Sequence, residues 1–326
     1  MIKYLCMYKD SREKRMKHVF ILNPASGKGD GAEKLKSGLL ALDCDYEVHE
    51  TTGHLDATEF VRDYCKNYKG DVRFYACGGD GTIKEVADGI IGYKNASMSV
   101  YPIGSGNDFV RYFGGAESFL NLAAITSAED APTDMIKISL GDGRVESSVN
   151  VANFGFEACA ANIMDKVRRK PIIGGKNSYT TGIIGAIFKA MKNHGKIYAD
   201  GELINPKGTF ILCTAANGSF VGGGYKCAPR ASVNDGYLEV CMIRPVSIIT
   251  LARLIGVYKV GGHLDDKRFQ KYLVYRRVKK LEVKADRPFP LALDGECFET
   301  TSLVAEVVEG AIRFAAPSEK EAAIVK

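Results

Sequence analysis

The sequence predicts an α/β N-terminal domain, a doubly wound parallel sheet, followed by a β-rich, mostly antiparallel C-terminal domain. Over the first 115 or so residues, apolar strand-like runs alternate with segments whose apolar residues recur at helical spacing. Three of these runs end in glycine-rich loops. Beyond about residue 130 the pattern becomes a succession of strand-like runs joined by turn residues, which indicates a second domain.

The domain boundary follows from the same pattern. Small and polar residues dilute it between Ala116 and Pro132, so we place the first domain at residues 16–130 and the second at 131–304. The segment from Met16 to Phe20 suits the start of the first strand, and residues 1–15 are treated as an optional extension.

Composition predicts an ordinary globular protein of the cytoplasm. It combines 46% hydrophobic and 25% charged residues, and its net charge of +5 gives no support to nucleic-acid binding. The nine cysteines are scattered without a Cys-x-x-Cys pair, which favours reduced, buried thiols over disulfides or zinc. No apolar run is long enough to span a bilayer.

The central stretch of the chain is an apolar run, Val72–Cys77, that breaks into Gly78-Gly79-Asp80-Gly81-Thr82 and continues as an amphipathic helix. Such a turn lets backbone N–H groups meet an anion at a helix N-terminus, and glycine allows close approach. Asp80 inside it requires a neutralising cation. The stretch predicts a nucleotide phosphate with a divalent cation, and a plain Asp-Gly turn is an equal alternative at this stage.

Two further loops have the same design. The strand at residues 18–22 runs into Asn23-Pro24-Ala25-Ser26-Gly27, and the strand at residues 98–103 runs into Gly104-Ser105-Gly106-Asn107-Asp108. Their side chains suit phosphate, nucleotide or metal, while a polar loop and a helix cap are the alternatives. Thr51 also follows a strand, and Asp56 with Glu59 predicts a capping box for the next helix. Carboxyl ends of parallel strands share one edge, so the three loops should meet.

The second half offers two acidic turns. Asp235, within Ser232–Tyr237, could bind a hard cation, and Glu296, after Leu293-Asp294-Gly295, could act as a general base; a simple turn is the default for each. None of the five histidines has a metal or triad spacing. Two basic runs, Lys166–Lys176 and Lys267–Lys280, suit either an anionic membrane surface or a solvated face.

Taken together, the motifs resemble those of the diacylglycerol kinase catalytic-domain family, in its soluble bacterial lipid kinase branch. The resemblance covers nearly the whole chain from Met16 and rests on five motifs in order: Asn23-Pro24-x-Ser26-Gly27, Gly78–Thr82, Gly104–Phe109, Asn234-Asp235-Gly236 and Leu293–Glu296. It implies a nucleotide-binding domain similar to phosphofructokinase and NAD kinase, a β-rich lipid-binding domain, and a C-terminal segment, about residues 305–326, that returns to the first domain.

The resemblance also implies a site. Glu296 would accept the proton of the lipid hydroxyl, Asp80 and Asp108 would organise catalytic Mg²⁺, and a second Mg²⁺ would be held by the backbone oxygens of Ser232 and Tyr237 and the carboxylate of Asp235. Contacts to ATP are expected at Asn23, Ser26, Thr51, Gly78, Gly79, Asp80, Gly81, Thr82, Ile83, Lys84, Ser105, Asn107 and Asp108. Ser105, Lys84 and Tyr237 depart from the threonine, asparagine and leucine common in the family.

The function implied is transfer of phosphate from ATP to a lipid alcohol, with diacylglycerol as the preferred acceptor and peripheral membrane contact during turnover. A homodimer is left open. NAD kinase is the first alternative because it shares the Gly-Gly-Asp-Gly loop, although the motifs at Gly104–Phe109 and Leu293–Glu296 favour the lipid branch. A non-catalytic nucleotide-binding regulator is the second, and the complete set of acids argues against it.

Overall fold

The structure is a computed structural model that describes residues 16–27, 29–42, 44–168 and 191–317, with only the backbone of residues 164–168. The basic run Lys166–Lys176 and most of a predicted helix at residues 179–191 therefore lie outside the described side chains. Among the helices that the structure describes, none is both long and apolar enough to cross a bilayer.

The first domain alternates strands and helices as predicted. Its strands β1 to β4 are parallel, in the order β2-β1-β3-β4, so each connection crosses over through a helix. The elements are β1 Lys17–Leu22, α1 Gly31–Leu39, β2 Tyr46–Glu50, α2 Asp56–Asn67, β3 Val72–Gly78, α3 Asp80–Ile90, β4 Ala96–Pro102, α4 Asp108–Arg111, a 3₁₀ turn Glu117–Leu120 and α5 Leu122–Ser127.

The second domain is built mainly of antiparallel strands, with three described helices. The strands Leu273–Val278 and Lys280–Leu293 are separated by Lys279, whose N–H donates to the carboxylate of Asp200 at 3.1 Å. The elements are β5 Asp130–Leu140, β6 Val145–Ser148, β7 Val151–Gly155, α6 Phe156–Arg168, β8 Asn193–His194, β9 Lys196–Ala199, β10 Glu202–Leu203, β11 Thr209–Phe210, β12 Leu212–Ala216, β13 Leu238–Ile243, α7 Ile248–Lys259, α8 Lys267–Gln270, β14 Leu273–Val278, β15 Lys280–Leu293 and β16 Glu296–Ala315.

A single mixed sheet of 14 strands runs through both domains, because β16 belongs to both. Most of β16 pairs antiparallel with β15 and β5, while near its end Phe314 pairs in parallel with Met98 of β4. The Ser99 hydroxyl also donates to the carbonyl of Ala315 at 2.7 Å. The last strand of the second domain thus ends inside the core of the first, which fixes Glu296, its first residue, relative to the glycine loops.

Burial explains why β3 is mostly apolar, with Arg73 as its charged residue, rather than alternating between apolar and polar residues. All seven residues of β3 and of β4 are buried, because helices cover both faces of a parallel sheet. Helix α2 contributes Ala57, Val61 and Cys65 to this core, and burying a side chain such as Val61 stabilises the fold by about 2 kcal/mol.

The predicted capping box of α2 is wrong. The helix begins at Asp56, and its N-cap is Leu55 with a left-handed φ of 65°. The Asp56 carboxylate accepts instead from the N–H of Thr52, at 3.0 Å, and lies 2.5 Å from Nε2 of His49. The Thr52 hydroxyl also donates to this carboxylate, and the hydrogen bonds from that hydroxyl, from His49 and from the Thr52 N–H lower the pKa of Asp56 to about 2. The side chain holds the preceding loop rather than the helix end.

Candidate active site

The three glycine loops meet at one edge of the sheet, as predicted. A Cβ atom at Gly104 would lie 2.4 Å from the Cα of Gly79, and one at Gly27 would lie 2.1 Å from the carbonyl oxygen of Ile103. The N–H groups of Ile103 and Gly104 both donate to the carbonyl of Gly78, at 3.0 and 3.1 Å. Backbone contacts this close exclude any larger residue, which explains the glycines physically.

Side chains also tie the first loop to the second. Asn23 donates from Nδ2 to the Thr82 hydroxyl at 3.1 Å, and its Oδ1 accepts from the N–H of Ala25 at 3.0 Å. A Cβ atom at Gly78 would lie 2.2 Å from the same hydroxyl. Asn23 and Thr82 therefore hold the loops in register.

Asp80 joins the second loop to the third. Its Oδ1 accepts from the backbone N–H groups of Asp108, at 2.8 Å, and Phe109, at 3.3 Å. Burial, and then the negative charge of Asp108, raise the pKa of Asp80 to about 7, although the two N–H donors oppose the shift. An ionised Asp80 therefore needs positive charge nearby.

Asp108 connects the cleft to the second domain. Its Oδ2 accepts from the N–H of Gly223 at 2.8 Å, within a loop where Gly222, Gly223 and Gly224 all have positive φ. Burial raises the pKa of Asp108, while the Gly223 N–H and the Arg111 guanidinium, whose Nε lies 3.4 Å from Oδ1, act in the opposite direction. Sequence reasoning missed this glycine triplet as part of the site.

The third loop contains buried acceptors that fit a hard cation. Asn107 Oδ1 and Asp108 Oδ1 are buried and accept no hydrogen bond from another described residue, although Arg111 forms an ion pair with Asp108. Oδ2 of Asp80 lies beside the same loop, 2.7 Å from where a Cβ of Gly106 would stand. Carboxylate and amide oxygens are the ligands that Mg²⁺ takes in proteins, so Asp80, Asn107 and Asp108 are suited to hold it.

The carboxylates of Asp294 and Glu296 differ in burial and in hydrogen bonding, although a single glycine separates the two residues. The Asp294 carboxylate accepts from the Ser148 hydroxyl at 2.8 Å and from three successive backbone N–H groups, those of Val149 to Val151, at 2.8 to 3.2 Å. Burial raises the pKa of Asp294 to about 6 against these bonds. Asp294 therefore closes the turn, and its φ of 48° directs the chain so that Glu296 faces the cleft with 25% of its side chain exposed.

Lys84 connects Glu296 to the helix that follows the central glycine loop. Its Nζ lies 3.7 Å from Oε2 of Glu296 and 2.9 Å from Oδ2 of Asp88, and only 3% of the side chain is exposed. Burial works against the charged form, but Asp88 and Glu296 outweigh it and raise the pKa of Lys84. The lysine is thus a protonated link between the two walls of the cleft.

The other residues expected at ATP are placed unequally. Ser105 is exposed and Ser26 partly buried, each on its loop. Thr51 is buried, and its N–H donates to the carbonyl of Leu22 at 2.8 Å. Ile83 is wholly buried in the first core, so its side chain offers no surface to a ligand. Contact between ATP and each of these residues stays a prediction.

The acidic loop of the second domain already has a cation. Arg277 donates to Oδ2 of Asp235 at 2.7 Å, and its guanidinium lies 4.2 Å from the centre of the Tyr237 ring. The other oxygen of Asp235 accepts from the N–H of Tyr237 at 3.1 Å. In this arrangement the carboxylate is neutralised by the protein, and Mg²⁺ bound by Ser232, Asp235 and Tyr237 would have to displace Arg277.

The Asp134 carboxylate holds the Ser232–Tyr237 loop in place, and sequence reasoning missed it. Its carboxylate accepts from the N–H of Gly236 and from that of Gly310, both at 2.7 Å. The two partners are 102 and 176 residues away in the chain, so no local pattern signals the contact. The loop keeps its shape through this carboxylate.

Ion pairs neutralise much of the second basic run. Arg268 pairs with Asp266 at 2.5 Å and Lys279 with Glu309 at 2.6 Å, and Arg277 pairs with Asp235 as described. Lys267, Lys271 and Arg276 are exposed and form no ion pair with another described residue. The surface available to an anionic membrane is therefore smaller than the sequence suggests.

Comparison with known proteins identifies the family. Residues 17–138 match the diacylglycerol kinase catalytic domain, and residues 150–316 match the YegS C-terminal NAD kinase beta sandwich-like domain. A Pseudomonas aeruginosa protein named "Probable lipid kinase YegS-like" is 30% identical over 302 residues, covering 90% of this chain and 92% of the relative. A Bacillus subtilis protein named "Diacylglycerol kinase" is 27% identical, covering 85% and 88%.

A solved structure agrees in fold. The crystal structure of a diacylglycerol kinase from Bacillus anthracis superposes with a TM-score of 0.64 at 20% identity, covering 92% of this chain and 97% of the other. Both halves of the chain, in order and at nearly full length, thus find the same relatives. The chain belongs to the diacylglycerol kinase-like family of lipid kinases.

Proposed function

We propose that this kinase transfers the γ-phosphoryl group of ATP to the hydroxyl of a lipid alcohol, with diacylglycerol as acceptor and phosphatidic acid as product. The observation that carries the proposal is the contact between Glu296 and Lys84, whose Oε2 and Nζ atoms are 3.7 Å apart, because Lys84 lies on the helix that begins at the central glycine loop. A carboxylate so placed can meet an acceptor hydroxyl while the loops hold the phosphates.

Each wall of the cleft supplies one requirement of phosphoryl transfer. The N–H groups of the glycine loops suit the phosphate oxygens, and Asp80, Asn107 and Asp108 would hold Mg²⁺, which neutralises phosphate charge when bound. Glu296 accepts the hydroxyl proton as the lipid oxygen bonds to the γ-phosphorus and the bond from that phosphorus to the bridging oxygen breaks. ADP leaves with the bridging oxygen, so atoms and charge balance.

Lys84 serves the base in this scheme. The Lys84 ammonium lies 3.7 Å from Oε2 of Glu296 and can hold that carboxylate in position for the acceptor hydroxyl. Because Lys84 is also held by Asp88 at 2.9 Å, its position does not depend on substrate. The lysine found where asparagine is common in the family thus has a role in this cleft.

The acceptor is reached at a membrane surface in this proposal. Lys267, Lys271 and Arg276 are the exposed cations of the second basic run that remain for anionic headgroups, each worth about 1 kcal/mol near such a surface. Co-sedimentation with vesicles should then depend on anionic lipid and fall with salt. Binding that is insensitive to both would remove membrane electrostatics from the proposal.

The test of the base compares Glu296→Gln with Glu299→Gln, an exposed glutamate on the same strand. Purified variants receive labelled ATP with diacylglycerol, with other lipid alcohols and with NAD. We expect Glu296→Gln to lower turnover about 10²- to 10⁴-fold and Glu299→Gln to leave it unchanged, because general-base catalysis has this magnitude.

Three results would change the conclusion. Full turnover by Glu296→Gln would make the base assignment wrong. Labelled NADP in place of labelled lipid would identify an NAD kinase. ATP binding by the wild type without turnover on any acceptor would indicate a nucleotide-binding regulator.

A further inference from the structure

A histidine and two glutamates from distant parts of the chain converge beside the candidate active site. His54 lies in the loop before α2, Glu85 on α3, and Glu296 at the start of β16. One nitrogen or oxygen atom from each lies within 4.8 Å of the other two. No local pattern signals this group, because its members are separated by 31 and 211 positions.

The distances suit a bridging cation better than direct hydrogen bonds. Nδ1 of His54 lies 3.4 Å from Oε1 of Glu85 and 3.7 Å from Oε1 of Glu296. In a tetrahedral site with bonds of about 2.1 Å, ligand atoms stand about 3.4 Å apart. The His54 side chain is 67% exposed, so water can complete the coordination.

Charge at this point also favours a cation. Two carboxylate oxygens face the imidazole, while the nearby ammonium of Lys84 lies against the other oxygen of Glu296 and closer to Asp88. The N–H of Leu55 donates to Oε1 of Glu85 at 3.1 Å and holds that carboxylate toward His54. The side facing His54 therefore carries negative charge that Lys84 does not offset directly.

We propose that His54, Glu85 and Glu296 form a site for a divalent cation of borderline hardness, with Zn²⁺ as the probe, and that occupancy inhibits the kinase. An imidazole with two carboxylates and open positions suits Zn²⁺, whereas Mg²⁺ prefers oxygen alone. Inhibition rests on the proposed function, because a Glu296 carboxylate bonded to a cation cannot accept the hydroxyl proton.

Binding is tested first, without nucleotide or lipid. Zn²⁺ is titrated calorimetrically into the full chain as wild type, His54→Ala, Glu85→Gln and the control His194→Ala, which removes another exposed histidine. We expect His54→Ala and Glu85→Gln to bind Zn²⁺ at least about tenfold more weakly than the wild type, because each loses one of three protein ligands. Equal affinity for wild type and His54→Ala would overturn the site.

The absorption spectrum of bound Co²⁺ tests whether a nearby cysteine thiolate binds the metal instead. Cys297 follows Glu296 directly, and a thiolate bound to Co²⁺ gives an intense charge-transfer band that nitrogen and oxygen ligands do not. We expect a Co²⁺ spectrum of four-coordinate type without that band, lost in His54→Ala. A charge-transfer band that survives His54→Ala would place the metal on cysteine and overturn the proposal.

Turnover is tested second, with buffered free Zn²⁺ and saturating Mg·ATP. We expect Zn²⁺ to inhibit the wild type and His194→Ala, and His54→Ala to need at least about tenfold more Zn²⁺ while its basal turnover is unchanged. Zn²⁺ that binds at His54 without inhibiting would overturn the inhibitory role. Failure of the proposed function shows separately, as full turnover by Glu296→Gln, while calorimetry still reports the site.

Discussion

The acids of the cleft and the acid of the second-domain loop differ in how the protein compensates their negative charge. Asp235 has a guanidinium at 2.7 Å, supplied by Arg277 from a neighbouring strand. Asp80 accepts from two backbone N–H groups, and its pKa rises to about 7 because burial and Asp108 oppose its charge. Asp235 is thus paired directly with a cation, whereas the two buried acids of the cleft have the partly exposed Arg111, 3.4 Å from Asp108, as their described counter-charge.

The difference separates two kinds of Asp-Gly loop that look alike in sequence. A carboxylate that is paired with a cationic side chain is already neutralised and does not need a metal ion. A buried pair of carboxylates without a full counter-charge is instead stabilised by binding a metal cation. By this criterion Asp80 and Asp108 are the better candidates for Mg²⁺, and Asp235 is the weaker one.

The largest expected effect comes from Asp80→Asn. The amide oxygen can still accept from the N–H groups of Asp108 and Phe109, so the loop should fold, but the charge that would hold Mg²⁺ is lost. We expect kcat to fall about 10³-fold or more, because phosphoryl transfer depends on charge neutralisation. Steady-state transfer of labelled phosphate to diacylglycerol measures it, with thermal denaturation to verify folding.

The matched control is Asp235→Asn, the same change at the acid that has a cation. Arg277 is 51% exposed, so water can solvate it once its partner is neutral, and we expect kcat to change less than about threefold. Equal losses in the two variants would contradict the ranking, and so would turnover by Asp80→Asn within tenfold of the wild type.

The sequence predicted the cleft well because its determinants are local. Three strands that each end in a glycine loop place those loops at one edge, whatever the rest of the chain does. The backbone contacts of Gly27, Gly78 and Gly104 confirm it. The convergence of Glu296 on this edge came from family resemblance, since the 20-residue strand β16 that carries it between domains has no local signature of its destination.

Sequence reasoning failed where partners are distant or where two local preferences compete. Arg277 lies 42 residues from Asp235, and only the pairing of β13 with β14 brings it near. At α2, Asp56 is a good capping residue, yet Thr52 and His49 occupy its carboxylate, and Leu55 takes the strained position instead. The first miss is a contact between residues distant in the chain, and the second is a local competition for one carboxylate. Residue spacing alone predicts neither.

The second effect in size concerns Glu157, a buried acid outside the glycine loops that forms no ion pair with another described residue. Its Oε2 is buried and accepts no hydrogen bond within the geometric limits from another described residue. Burial raises the pKa of Glu157 to about 7 against the nearby Tyr258 hydroxyl, even though the residue as a whole is partly exposed. It tests whether a raised pKa alone, without convergent ligands, makes a functional acid. We expect Glu157→Gln to keep its turnover.

The pH dependence of the free energy of unfolding should reveal the raised pKa of Glu157. From pH 4.5 to about 7 the folded wild type keeps a proton that the unfolded chain releases, so its free energy of unfolding falls as pH rises. Glu157→Gln has no such proton, and we expect it to gain about 2 kcal/mol relative to wild type between pH 4.5 and 8. Denaturant unfolding at several pH values measures this, with the exposed Glu202→Gln as control. Parallel curves for wild type and Glu157→Gln would mean the carboxyl is solvated.

The smallest expected effect is at Arg277→Met, which removes the cation from the second-domain loop. Asp235 then lies near the buried Glu239, whose Oε1 is 4.0 Å from the Arg277 guanidinium, and two unpaired carboxylates attract a cation. We expect a loss of about 1 kcal/mol in the free energy of unfolding, the usual size for an exposed pair, and its recovery in millimolar Mg²⁺. Arg276→Met, at the adjacent exposed arginine, should show neither the loss of stability nor its recovery in Mg²⁺.

The opposite result is that Mg²⁺ stabilises the wild type without nucleotide and that Asp235→Asn abolishes this stabilisation. In that case Mg²⁺ displaces Arg277, and the second-domain loop is a metal site.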